Sequence, residues 1–85
     1  MQDLYIYAYP AQMLVFQIVT SDGKIMTNEN CAYNDIIQLT ARYLSEEDIN
    51  TIYIVGNTNY TDKVYNMVNN YFGQENLVER VMNND

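Results

Sequence analysis

Between residues 4 and 9 the chain alternates: Leu4, Ile6 and Ala8 stand on one side, Tyr5, Tyr7 and Tyr9 on the other, a period of two that marks a strand. Pro10 ends it, having no N–H to give a ladder. The run from Met13 to Thr20 (MLVFQIVT) is β-branched and aromatic on nearly both faces, which predicts a central strand. Asp22-Gly23, inside Ser21-Asp22-Gly23-Lys24, sits between two strand-like runs and signals a hairpin, with Lys24 to Thr27 as a short returning edge strand. From Ala32 to Leu44 the period changes to that of a helix. Tyr33, Ile36, Ile37, Thr40, Tyr43 and Leu44 share an arc, Asp35, Gln38 and Arg42 lie opposite, and Asn28, Asn30 and Asn34 are candidate caps.

The polar run Ser45-Glu46-Glu47-Asp48 connects to a buried strand, Thr51 to Val55, that Gly56-Asn57 breaks. Thr61 or Asp62 then caps a helix with Val64, Met67, Val68 and Tyr71 on its apolar side and Gly73 as its stop. Leu77, Val78, Val81 and Met82 suggest a last short helix, followed by a frayed 83–85 end. The order is β-β-β-α-β-α. A strand reached through a crossover helix should run parallel to an earlier one, with a right-handed connection. The expectation is therefore an α/β (α+β) fold in which helices pack on a four-stranded mixed sheet.

Composition narrows the class. Eighty-five residues (1–85) make a single domain with one modest core, and 48% hydrophobic content is too apolar for disorder. No apolar run approaches the ~20 residues of a membrane helix. The N-terminus MQDLYIYAY carries Asp3 instead of a basic flank, so it does not read as a signal peptide, and one cysteine cannot form an internal disulfide. A cytoplasmic location follows as the expectation, that of a bacterial host cell if the gene belongs to a phage. The abundance of Asn and Tyr fits an AT-rich genome, as in many low-GC bacteria and their phages.

Eleven acids against four bases give a formal charge of −7. This argues against direct nucleic-acid binding, which needs cations to neutralise phosphates, and suits a partner with a basic surface. Cys31 has no histidine to activate it, a Cys/His metal site is excluded by count, and residues 22 to 29 lack the acidic alternation of a calcium loop. No catalytic set, metal or cofactor is expected.

Two features remain. Glu46, Glu47 and Asp48, with Asp35 on the outer side of a helix, form a solvated acidic surface or a patch that imitates phosphates. Nine tyrosines against two phenylalanines and no tryptophan is lopsided. Tyr5, Tyr7 and Tyr9 share a strand face, with Tyr53 a candidate neighbour on the central strands. Tyrosine suits a thinly covered sheet face because its ring buries area while its hydroxyl stays wet. Ordinary sheet packing and a protein-binding or self-associating face are both readings of this set.

The β-β-β-α-β-α order resembles the front half of the ribonuclease H-like superfold, a three-stranded meander followed by a helix and a parallel strand. Within it, residues 52–73 (IYIVGNTNYTDKVYNMVNNYFG) are similar to the second nucleotide motif of the actin-like ATPases: Gly56 matches the first glycine of that motif and Asn57 replaces the second. The resemblance implies a nucleotide-binding remnant around Gly56 to Asp62. The family nucleases carry metal-binding carboxylates on their first and fourth strands, where this chain has Tyr5, Tyr7 and Tyr9, then Tyr53 and Val55. The leading expectation is a small acidic, non-enzymatic protein-binding module. Its concrete form is a phage or mobile-element inhibitor of a nucleic-acid-binding host protein, of the anti-CRISPR or anti-restriction class. A structural module dimerising through the tyrosine face is the second, and the nucleotide-binding remnant the third.

Overall fold

The computed structural model describes residues 2–9, 13–20 and 22–82. Pro10, Ser21 and the 83–85 tail lie outside them. Strands β1 (Gln2–Tyr9), β2 (Met13–Thr20) and β3 (Ile25–Ala32) form an antiparallel meander. A 3₁₀ turn, Tyr33–Asp35, opens into α1 (Ile36–Glu46), followed by β4 (Ile49–Val55), α2 (Asn59–Phe72) and β5 (Leu77–Val81). The sheet order is β3-β2-β1-β4-β5, with β4 parallel to both β1 and β5.

The fold is thus α+β with a mixed sheet and two helices, but the sheet has five strands and not the expected four. Residues 77–81 form a strand where a helix was expected. Leu77, Val78, Val81 and Met82 fit a helical period over so short a stretch, yet an apolar β4 at an open edge would leave its backbone groups unpaired. Pairing with β5 satisfies them, and the alternation becomes one of faces: Val78 is 7% exposed and its neighbour Leu77 is 58% exposed.

β3 is also longer than expected. Asn28 and Asn30, read as helix caps, are strand residues paired with Gln17 and Val15, and Asn34 lies in the 3₁₀ turn. Register with β2 overrides the low strand propensity of asparagine. α1 consequently starts at Ile36, and Leu39 joins Ile36, Thr40 and Tyr43 on its buried side. The cap of α2 is Thr58, three residues before Thr61. The Thr58 side chain accepts from the Thr61 N–H (3.2 Å) while the Thr61 hydroxyl accepts from the Thr58 N–H (3.3 Å). That reciprocal capping box satisfies two donors a helix start otherwise leaves orphaned. Tyr71 is 68% exposed, off the apolar side expected for it, and Phe72 packs on the core instead.

Both crossovers, β3 to β4 through α1 and β4 to β5 through α2, advance across the sheet in the same direction. Right-handed connections then place both helices on one side. Leu4, Ile6, Leu14, Phe16, Ile18, Ile52 and Ile54 fill that side against Ile36, Leu39 and Tyr43 of α1 and Val64 and Val68 of α2. At about 1.5–3 kcal/mol per fully buried large side chain, this single layer of contact carries the stability of the fold. The other sheet face is left without a helix.

Candidate protein-binding face

Strand parity and register decide what the uncovered face carries. One row across all five strands reads Asn28, Gln17, Tyr5, Tyr53 and Glu79. The next reads Asn30, Val15, Tyr7, Val55 and Val81. Asp3, Val19, Thr51, Leu77 and Ile25 border the rows on one side, and Tyr9 with Met13 on the other. Of the eight residues singled out from sequence, the four tyrosines are therefore brought to one face.

Their rings form a stack. Tyr5 and Tyr53 lie 4.7 Å apart between centroids and Tyr5 and Tyr7 6.3 Å, with interplanar angles near parallel at 23° and 22°. Burial among these neighbours, then Tyr53, Asp3 and Tyr7, raises the pKa of the Tyr5 phenol, so it stays neutral. The middle of the face carries no ionised side chain. Its charges are Asp3, near the end of β1, and Glu79, on the outer strand β5; among the described residues neither lysine nor arginine occurs on it.

The acidic residues are not brought together in the same way. Asp35 precedes α1, Glu46 ends it and Glu47 and Asp48 follow, so the length of an 11-residue helix, about 16 Å, separates Asp35 from the other three. Glu47 and Asp48 instead border a shallow cleft with Gln2, Thr20, Asp22 and Lys24, where the Gln2 N–H donates to the Asp48 carbonyl (3.2 Å). Asp22 joins the acidic end through the β2–β3 turn, a meeting that no local pattern announces.

Two of the four bases are engaged within the chain on this acidic background. Arg42 pairs with Glu29 (2.6 Å) and lies over the Tyr43 ring, while the Tyr43 hydroxyl donates to the same carboxylate. Arg80 pairs with Asp62 (3.2 Å). Among the described residues Lys24 and Lys63 are the cations outside ion pairs.

At the Gly56 turn the chain meets its own groups. Gly56 has φ +148°, and a Cβ there would stand 2.4 Å from the Thr61 hydroxyl oxygen and 3.1 Å from the Ala8 carbonyl oxygen. Its N–H donates to the Val81 carbonyl (3.1 Å), and its own carbonyl accepts from the Arg80 guanidinium. The glycine is thus required by the close approach of α2 to β1. Cys31 is half-buried at the edge, its thiol pushed up to about 11 by burial and by the nearby Asp35 and Glu29 carboxylates. Among the described residues no three Cys, Asp or Glu side chains converge as metal ligands, and no helix is long and apolar enough to cross a membrane.

No protein-family model matches the chain, and no curated protein matches it in sequence.

Proposed function

We propose that this chain is a non-enzymatic protein-binding module that acts through surface shape and charge. The observation that carries the reading is the uncovered sheet face, with stacked, partly exposed tyrosines and Val15 in an uncharged middle and a margin where the exposed Tyr9, Met13, Ile25 and Leu77 alternate with Asn28, Asn30 and Glu79. That distribution is the anatomy of protein contact surfaces, in which charge is depleted at the centre and tyrosine enriched. Large exposed apolar faces on small proteins mark interaction sites.

Charge supplies the kind of partner. With Arg42 and Arg80 engaged internally, the acidic end around Asp22, Glu46, Glu47 and Asp48 faces outward with Lys24 as its neighbouring cation. Such a surface steers toward a basic one, including a surface that otherwise holds nucleic acid. The concrete form is an inhibitor of a nucleic-acid-binding protein, of the anti-restriction or anti-CRISPR class, encoded by a phage or mobile element. A ribonuclease H-like ancestry is supported by the meander joined through a helix to a strand parallel to β1.

The test is displacement of a fluorescent DNA duplex from a panel of bacterial DNA-binding proteins. The chain is expected to release DNA from a member of the panel, more strongly at low salt. Reversing Glu46, Glu47 and Asp48 together to lysine should slow the association and remove its salt dependence. Unchanged displacement by the triple variant rejects the acidic end as the recognition surface.

A further inference from the structure

We infer that the occupant of the uncovered sheet face is a second copy of this chain, the two sheets packing face to face in a symmetric dimer. The inference rests on the reading of that face as a contact surface and adds who makes the contact.

Size is the first argument. The molecule measures 30 × 26 × 19 Å. Eight-residue strands span about 26 Å and five strands spaced about 4.8 Å apart fill much of the second dimension, so the short axis runs through the sheet and its helices. The face therefore offers a footprint of at most about 800 Å², what each side contributes to a stable interface of ordinary size.

Chemistry is the second. A basic protein would find no carboxylate in the middle of this face to pair with, and a nucleic acid would find no cation there. The same surface on another copy matches on both counts. Val15, Val19 and Tyr7, each partly exposed, offer apolar area, while Gln17 and the tyrosine hydroxyls offer donors and acceptors. Pleated faces pack about 10 Å apart with their side chains interdigitated, a natural fit for alternating valine and tyrosine.

Topology is the third. β1 is the middle strand of five. A two-fold axis lying between the two sheets, parallel to their planes and over β1, lays one sheet on the other about its middle strand, and closed two-fold dimers are the commonest oligomers. Glu79 stays on an outer strand in that arrangement. The acidic end, at the edge of the sheet, remains outside the contact and open to a basic partner.

The test is sedimentation equilibrium over a concentration series reaching well above micromolar. The expected mass is that of two chains of 10.0 kDa each, with little dependence on salt. Tyr53→Lys places a charge in the middle of the contact and is expected to weaken association at least tenfold. Gln17→Lys is the second variant: this side chain is polar and half-buried in the single chain, and the longer lysine can keep its ammonium in water, so the fold tolerates the charge. Gln38→Lys, on the outer side of α1, is expected to change nothing. A chain that stays monomeric throughout, or a dimer indifferent to both face variants, overturns the inference. Monomers that still displace DNA also overturn it while leaving the partner reading intact. A face-dependent dimer without DNA displacement supports it and counts against that reading.

Discussion

Tyr5 and Tyr53 occupy paired positions on the parallel β1 and β4 strands, and their rings stack 4.7 Å apart on the sheet face that no helix covers. Their separation in sequence is large, yet the contact is fixed by the register that also buries Leu4 beside Ile52 and Ile6 beside Ile54. The register of the buried layer therefore sets the two tyrosines side by side, and an aromatic pair already in place loses less entropy on binding.

A double-mutant cycle measures that coupling. Tyr5→Ala, Tyr53→Ala and the double variant, compared by urea unfolding, are expected to show an interaction energy of about 0.5–1.5 kcal/mol. Strict additivity would mean that the rings do not support each other.

The two positive-φ glycines should differ in their cost. Gly23, at φ +90°, has nothing within 4 Å of the place a side-chain methyl would take, so Gly23→Ala is expected to lose about 1 kcal/mol from the backbone alone. Gly56→Ala adds a collision with Thr61, which is fully buried and committed to the capping box, and is expected to lose about 2 kcal/mol more. Equal losses in denaturant unfolding would remove the close approach of α2 as the reason for this glycine.

The Glu29–Tyr43 hydrogen bond makes stability fall at both extremes of pH. The Tyr43 hydroxyl, with help from Arg42 and against some desolvation, lowers the pKa of the Glu29 carboxyl. Its contribution is present above the unfolded value of about 4.3 and is lost as pH falls through the folded one. Burial first, then the Glu29 contact, pushes Tyr43 up to about 12. That contribution is present below about 10 and is lost as pH rises toward the folded value. In urea midpoints measured across pH, Tyr43→Phe should flatten both limbs relative to the parent chain. Superimposable profiles would show that the pair does not couple.

Cys31 should be a slow thiol. With its pKa pushed up to about 11, its reaction with an aromatic disulfide reagent at pH 8 is expected to be on the order of a hundredfold slower than that of free cysteine. Urea should restore the ordinary rate. A native rate equal to that of free cysteine would reopen Cys31 as a nucleophile.

Much of this arrangement was legible in the chain. The alternation in β1 put Tyr5, Tyr7 and Tyr9 on one face, and the apolar runs of β2 and β4 marked them as interior strands. The remainder depended on distant partners. Residues 77–81 satisfy a helical and a strand period equally, and only the unpaired edge of β4 decides between them. Thr58, Thr61 and Asp62 all suit a helix cap, and the choice follows from how closely Gly56 lets α2 approach. The acidic set divided because Asp35 and Glu46 lie at opposite ends of one helix, while a turn elsewhere in the chain sets Asp22 on the same shallow cleft as Asp48.

The most direct measurement of where this protein makes its contacts is the ¹H–¹⁵N spectrum of the chain, followed on dilution and on addition of a DNA-binding protein that it displaces. Dilution is expected to shift Tyr5, Val15, Gln17, Tyr53 and Val55, and the added protein to shift Asp22, Glu47 and Asp48. A sheet face that stays constant in both series, with shifts confined to the outer sides of α1 and α2 at Gln38, Lys63 and Asn66, would contradict the assignment of that face as the contact surface.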